Sequence, residues 1–119
     1  MNHKYNLKKG YQNRVDDRYA YSAGIYGVYN NNELIYIGES GTPKNRQNLH
    51  FSKSGKLNGD VMKHKDRTSP ISIALGIGEL DRVNLTFKML EFIDDTPIRK
   101  AREKCLIQRH KPVYNDLYV

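Results

Sequence analysis

Two pairs of side chains in the first half of the 119-residue sequence have the types and spacing that anion binding and proton transfer require. Tyr26 and Tyr36 lie ten residues apart in short runs rich in Ile, Val and Tyr, and Arg46 and His50 follow at helical i, i+4 spacing. A guanidinium binds phosphate bidentately, and phenol and imidazole groups move protons. A turn between the two runs and a helix after them are needed to bring each pair onto one surface.

The stretch from Gly24 to Gly38 predicts a β-hairpin that brings the two tyrosines together. Its runs of β-branched and aromatic residues flank the Asn-rich segment 30–32, which is typical of a tight turn. Asn tolerates the left-handed backbone that such turns require. The hydroxyls of Tyr26 and Tyr36 are then left with room to face a ligand. The candidates for buried positions are Ile25, Val28, Leu34 or Ile35, and Ile37.

The residues that follow the hairpin predict helices. Thr42 as N-cap and Pro43 as first residue suit a helix start, and this helix should run to about Ser52. A second short helix is expected at about 60–67. The apolar run 70–77 alternates in a way that permits a strand, and the proline that opens it also fits a helix start, which is the element we expect.

A third strand and a last helix complete the predicted fold. Residues 85–93 alternate apolar and polar side chains and predict a strand beside the hairpin. Thr96 as N-cap and Pro97 as first residue predict a helix to about His110, and Pro112 prevents its continuation. The fold class is therefore α/β in the α+β sense, a small three-stranded antiparallel sheet flanked by helices. The residues expected on the buried face of the last helix are Ala101, Cys105 and Leu106.

The composition indicates a single domain outside the secretory and membrane classes. The chain is long enough to bury one modest core, and its one cysteine, Cys105, excludes an intrachain disulfide. No apolar run could span a bilayer, and the first residues lack the apolar segment of a signal peptide. We expect a cytoplasmic protein whose domain spans 21–119, preceded at 1–20 by a basic arm or a short helix.

The net charge of +7 favours a polyanionic partner. Residues 41–67 carry seven Lys or Arg against two Asp, and residues 99–111 carry six against Glu103 alone. Residues 79–98 are acidic, with five carboxylates against two bases. Two basic segments around an acidic one predict a polarised surface, and a generally basic, soluble protein is the alternative.

The tripeptides Gly24-Ile25-Tyr26 and Tyr36-Ile37-Gly38 resemble the signature of the GIY-YIG nuclease superfamily. The resemblance covers roughly residues 22–116 and is therefore not confined to the hairpin. The further residues that match the family pattern are Arg46, His50, Glu103 and Asn115.

This resemblance implies a metal-dependent endonuclease. Glu103 would hold a divalent metal, Mg²⁺ or Mn²⁺. Water molecules and phosphate oxygens would complete the coordination of this metal. Arg46 would bind the scissile phosphate. The base that activates water stays open among Tyr26, Tyr36 and His50. A tyrosine with a pKa of ~10 is a poor base at neutral pH, whereas His50 has a suitable intrinsic pKa but suits phosphate binding or packing equally well.

The implied partner is nucleic acid, with DNA, double- or single-stranded, expected before RNA, and no membrane. The protein is expected as a monomer or a homodimer. Glu39 departs from the family, in which the residue after the second tripeptide is often small or basic. A carboxylate there would add a metal ligand or repel the substrate, so a nucleic-acid-binding or inhibitory protein with reduced turnover is the alternative. The expected substrate-binding residues are Lys44, Lys53, Arg99, Arg102 and Asn115.

Overall fold

The structure, a computed structural model, describes residues 17–19, 21–52 and 69–118. The predicted helix at 60–67 and most of the predicted N-terminal arm lie outside these residues. No helix in the described ranges has the length and apolar character needed to cross a bilayer. Short 3-10 turns lie at Asp17–Tyr19, Arg82–Asn84 and Val113–Asn115. The main elements of the described ranges are β1 (Gly24–Asn30), β2 (Glu33–Ser40), α1 (Pro43–His50), α2 (Pro70–Gly76), β3 (Leu85–Phe92) and α3 (Thr96–His110).

The three strands form one antiparallel sheet in the order β2-β1-β3, which confirms the predicted fold class. β1 is the central strand, and β2 forms an edge of the sheet within the described residues. Asn31, in the turn between β1 and β2, has a φ of 56°, the left-handed conformation that Asn tolerates. A register shift beside Val28 pairs that residue with Tyr36 and leaves Ile35 without a partner on β1.

Each face of the sheet carries a hydrophobic core. One face packs against α2 and the end of α1, and its core includes Val28 and Ile35. The other face packs against α3, with Ile25 and Ile37 buried beside Leu106. The apolar positions predicted for the hairpin are therefore buried, but they serve two cores. On β1 the alternation of side chains separates Ile25 from Val28, and on β2 the irregularity at Ile35 separates this residue from Ile37.

The helix at residues 70–77 is confirmed, and two reciprocal hydrogen bonds between Ser69 and Ser72 cap its start. The Ser69 side chain accepts from the Ser72 backbone N–H, and the Ser72 hydroxyl accepts from the Ser69 backbone N–H, both at 3.0 Å. Thr42 is the N-cap of α1 as predicted, but its side chain makes no capping hydrogen bond among the described residues. The Ser40 hydroxyl instead accepts a 2.8 Å hydrogen bond from the Thr42 N–H, so the chain turns before the helix begins at Pro43.

α3 differs from the prediction in its cap and in its buried face. Asp95 is the N-cap, since its carboxylate accepts from the Ile98 N–H at 3.0 Å, and Thr96 is already helical. Leu106 is buried as predicted, but Ala101 and Cys105 are exposed. The reason is that α3 meets the sheet along the side that carries Arg99 and Leu106.

Gly24 is required by the close approach of β1 and β3. A methyl group at this position would overlap the backbone carbonyl oxygen of Glu91 and lie 2.9 Å from Cε of Met89. Because the carbonyl cannot move without disturbing the strand pairing, we expect Gly24→Ala to lower the free energy of unfolding by about 3 kcal/mol. Urea denaturation measures this loss.

Gly41→Ala is the matched control for that substitution. Apart from its two chain neighbours, no described residue has an atom within 4 Å of the methyl group it would add. We expect it to change the free energy of unfolding by less than about 0.5 kcal/mol. Equal losses for the two variants would contradict the steric account of Gly24.

Candidate active site

The predicted catalytic residues come from four elements and meet beside β2. They are Tyr26 on β1, Tyr36 on β2, Arg46 and His50 on α1, and Glu103 on α3. The ring centroid of Tyr36 lies 6.3 Å from that of Tyr26 and 4.9 Å from that of His50. The charges of Arg46 and Glu103 lie close enough to act on both phenols. The structure therefore brings all five side chains into one site.

Tyr26 lies inside the protein, and Gly38 leaves the room for its hydroxyl. Its side chain is 0% exposed and stacks on Phe87 with 4.5 Å between ring centroids. A Cβ atom at Gly38 would overlap the Tyr26 hydroxyl and ring, so glycine is required here. The hydroxyl lies 2.6 Å from Nε2 of His50, a short hydrogen bond. This burial departs from the expectation that both tyrosine hydroxyls face a ligand.

Both phenols keep their protons near neutral pH. Burial raises the pKa of Tyr26 far above its ordinary value, and negative charge at Tyr36 and Glu103 raises it further. Burial also raises the pKa of Tyr36, and Glu103 adds to that increase. Arg46 opposes both increases without reversing them. The site therefore offers two neutral hydroxyls that can donate and accept hydrogen bonds.

His50 is a buried, neutral imidazole. Its side chain is 0% exposed, and burial lowers its pKa to about 3, with the charge of Arg46 adding to the decrease. Among the described residues its Nδ1 has no hydrogen-bond partner, so the contact that orients the ring is the one between Nε2 and the Tyr26 hydroxyl. An uncharged side chain out of reach of solvent does not suit phosphate binding. His50 instead fixes the phenol of Tyr26.

Arg46 is the positive charge at the centre of the site. Its guanidinium favours the ionised forms of Tyr36 and Glu103 and disfavours the protonated form of His50. Its Nε is buried and has no hydrogen-bond partner within the described ranges. A buried donor without a partner is costly, and a phosphate oxygen would satisfy it.

Glu103 is a half-buried carboxylate that no hydrogen bond or ion pair from the described residues reaches. Burial raises its pKa, and the negative charge of Glu39 adds to this, against the opposing charges of Lys100 and Arg46. A carboxylate with unused oxygens suits a hard divalent cation. The described residues contain no group of three or more His, Cys, Asp and Glu side chains that could hold a metal. A cation here would therefore rely on water and phosphate oxygens besides Glu103.

Asn115 ties the C-terminal segment to β2. Its Oδ1 accepts from the Ile37 N–H and its Nδ2 donates to the Ile37 carbonyl, both at 2.9 Å. One side-chain amide thus satisfies both backbone groups of an edge residue, as a neighbouring strand would. Tyr114 and Tyr118 donate to the two carboxylate oxygens of Glu79 at 2.8 and 2.6 Å. These contacts anchor the segment that carries Asn115.

The basic side chains predicted to bind substrate differ in their burial and in their ion pairs. Lys44 is half-buried on α1, and Lys53 lies outside the described residues. Arg102 forms a bidentate pair with Glu91, in which Nη2 lies 2.8 Å from Oε2 and Nε lies 3.0 Å from Oε1. Its guanidinium is therefore engaged within the protein, which does not favour a role in binding phosphate.

Glu39 is paired with two cations of α3. Arg99 Nε donates to Oε1 at 2.6 Å, and Lys100 Nζ donates to Oε2 at 2.9 Å. Burial would raise the pKa of Glu39, but these two hydrogen bonds and charges outweigh it and lower the pKa. Arg99 is 6% exposed, and its Nη1 also donates to the carbonyls of Ile93 and Asp94. The Arg99 guanidinium is therefore engaged within the protein, which does not favour the predicted role in binding substrate.

Sequence reasoning missed Lys100 and Glu79 as parts of the site and its supports. Lys100 lies 61 residues from Glu39, and Glu79 lies 35 residues from Tyr114. Local sequence patterns do not report contacts at such separations. The sequence did contain one signal that Glu39 makes contacts away from the tyrosines. The period-two alternation of a strand places Glu39 on the face of β2 opposite to Tyr36.

A family model described as the GIY-YIG catalytic domain matches residues 22–115. The match covers most of the chain and includes every residue that meets beside β2. No curated protein and no solved structure matches the chain.

Burial of neutral His50 predicts a loss of stability in acid. An unfolded histidine has a pKa of ~6.5, whereas burial lowers the pKa of His50 to about 3, so below about pH 6.5 the unfolded chain binds a proton that the folded chain does not. The stability linked to this group is complete above that pH. It should fall by up to ~1.4 kcal/mol per pH unit between about pH 6 and pH 4.

Urea unfolding of the wild type and two variants over that pH range measures the effect. His50→Gln, whose amide can still hydrogen-bond with Tyr26, should show a shallower pH dependence by the amount assigned to His50. His110→Gln is the control, because His110 is exposed, and it should follow the wild type. Equal slopes for the wild type and His50→Gln would contradict the assignment.

Proposed function

The chain belongs to the GIY-YIG catalytic-domain family of nucleases, and from that premise we propose that it is a metal-dependent endonuclease that hydrolyses phosphodiester bonds in DNA. This reaction needs an activated water, a neutralised phosphate and stabilisation of the departing oxygen. One observation carries the proposal: two neutral phenols, a guanidinium and a carboxylate without a partner among the described residues meet beside β2. One phenol, the guanidinium and the carboxylate each match one need of the reaction.

Tyr36 is the phenol assigned to the attacking water. It is half-buried, whereas Tyr26 is fully buried and hydrogen-bonded to His50. The hydroxyl of Tyr36 accepts a hydrogen bond from the water and so orients the water toward phosphorus. When the phenol is ionised, its oxygen takes a proton from that water. Tyr26 packs against the Tyr36 ring and fixes its direction. Because the pKa of Tyr36 is raised, the reaction favours alkaline pH.

Arg46 is assigned to the scissile phosphate. Its Nε needs a partner, and a phosphate oxygen accepts from a guanidinium in a charge-assisted hydrogen bond. Negative charge grows on the phosphate oxygens as water adds. A fixed guanidinium in a partly buried site then stabilises the transition state more than the ground state.

Glu103 is assigned to the metal. GIY-YIG nucleases generally depend on a divalent metal. When bound, such a cation supplies charge neutralisation at the phosphate and stabilisation of the departing 3′ oxygen. Glu103 contributes a carboxylate that is fixed on α3 and free of ion pairs within the described residues. Mg²⁺ or Mn²⁺ suits this site, because both accept coordination in which most ligands are water and phosphate oxygens.

The substrate class follows from charge and from the family. A net charge of +7 favours a nucleic-acid backbone, and phosphate contacts do not separate DNA from RNA. DNA is proposed first because the hairpin motifs resemble nucleases that cut it. Exposed basic side chains on α3 and just after it remain for such contacts. They are Lys104, Arg109 and Lys111.

A binding or inhibitory protein with reduced turnover was the alternative raised by Glu39. The pairing of Glu39 with Arg99 and Lys100 weakens that alternative, because a carboxylate paired with two cations repels a phosphate less than an unpaired one. Cleavage itself is the test that separates the two functions. Labelled DNA and RNA of equal length and sequence also separate a DNA nuclease from an RNA nuclease.

We expect the wild type to cut DNA in the presence of Mg²⁺ or Mn²⁺ and not in EDTA. Glu103→Gln should lower the single-turnover rate about 10³-fold, because a metal supplies several kcal/mol of transition-state stabilisation. Gel analysis of end-labelled duplex and single-stranded DNA measures the rate.

Glu33→Gln is the matched control, since it removes an exposed carboxylate at the far end of the hairpin. It should cut at the wild-type rate. A wild type that binds DNA without cutting it under any of these conditions would show the proposed function to be wrong, and RNA cut in preference to DNA would reassign the substrate.

A further inference from the structure

The carboxylate of Glu103 lies beside cations and yet pairs with none of the described ones. Lys100 lies one helical turn before it, at the i, i+3 spacing that lets oppositely charged side chains meet. Lys100 and Arg46 both act electrostatically on Glu103, but neither forms an ion pair with it. The Lys100 ammonium is paired with a different carboxylate.

Glu39 is that carboxylate. The Lys100 ammonium lies 2.9 Å from Glu39 Oε2, while Arg99 Nε occupies the other oxygen at 2.6 Å. The Glu39 side chain is only 14% exposed, so its pair with Arg99 is little screened by solvent. Arg99 is fixed in turn by the carbonyls of Ile93 and Asp94. The lysine is therefore drawn to a carboxylate that is already held in place.

We propose that Glu39 is a positioning residue that holds Lys100 on β2 and so leaves the Glu103 carboxylate available for a divalent cation. This inference rests on the proposed function and names a device that keeps its metal ligand free. It gives the acidic residue after Gly38 a role that neither repels substrate nor contacts the metal. The same contacts join β2 to the first turns of α3, which sets where Glu103 stands relative to Tyr36.

Two effects of removing Glu39 must be separated. Loss of a negative charge near Glu103 would weaken cation binding in any case, because Glu39 contributes to the field at that carboxylate. Release of Lys100 would weaken it further, by pairing the ammonium with Glu103. Substitution of Lys100 reverses the second effect and also offsets the first by removing a positive charge, whereas substitution of another nearby lysine offsets only the first. Lys104 serves as that comparison, since it lies exposed next to Glu103 and forms no ion pair with Glu39.

The experiment is a Mn²⁺ titration of the full chain without DNA, followed by paramagnetic broadening of backbone amide signals. Glu39→Gln should weaken Mn²⁺ binding about fivefold, the range of one partly exposed ion pair. Adding Lys100→Met to Glu39→Gln should restore binding to within about twofold of the wild type, whereas adding Lys104→Met should restore it less. Equal restoration by the two lysine substitutions, or unchanged binding in Glu39→Gln, would overturn the inference.

Lys100→Met in the wild-type background tests the inference without disturbing Arg99. Because Lys100 is already held by Glu39, its removal should change Mn²⁺ binding less than about twofold. A gain of about fivefold or more would show that Lys100 competes for Glu103 in the native protein and would overturn the inference. Glu103→Gln separates this inference from the proposed function. Mn²⁺ binding that Glu103→Gln abolishes and Glu39→Gln leaves intact overturns the inference alone. A wild type that binds no Mn²⁺ without DNA also overturns the inference, whereas the proposed function is decided by DNA cleavage.

Discussion

The hydroxyl of Tyr26 lies against Gly38, where any side chain would displace it, and reaches Nε2 of His50 at 2.6 Å. The rest of the site depends on this close packing between two strands and α1. This packing sets the position of β2 relative to β1 and fixes the ring of His50. It also gives the half-buried ring of Tyr36 a rigid neighbour. Glycine at position 38 and tyrosine at position 26 are therefore a matched pair, and neither is explained without the other.

Charge in the site is divided between two sides of the sheet edge. On the α1 side, burial keeps Tyr26 and His50 uncharged, so Arg46 is the cation there that can meet an anion. On the α3 side, Glu39 draws Lys100 toward β2, and Glu103 stays free of ion pairs among the described residues. A phosphate between a guanidinium and a carboxylate-held cation would have complementary charge on both sides. The fold thus keeps the charges of Arg46 and Glu103 unpaired with each other, and a bound phosphate with its cation would bridge them.

Local patterns in the sequence predicted the parts of the fold that local physics determines. The Asn-rich turn, the proline at the start of α1 and the proline that opens the run 70–77 each follow from backbone preferences of a few residues. The cap of α3 differs from the prediction because Asp95 and Thr96 are neighbours that can both cap, and the structure uses the Asp95 carboxylate. Tyr26 and Tyr36 share one local pattern and differ in burial because β1 is central and β2 is an edge. The Glu39 network joins residues about 60 positions apart, and no local pattern reports that distance.

The most direct test of the account is the single-turnover rate of DNA cleavage by Gly38→Ala, beside the wild type, with an NMR spectrum of each to establish folding. The added methyl group displaces the Tyr26 hydroxyl from His50 and tilts the ring that supports Tyr36. For a folded variant the account predicts a loss of about 100-fold, the effect of a displacement of about 1 Å among reacting groups. A folded Gly38→Ala variant that cuts DNA at the wild-type rate would contradict the central role given to this contact.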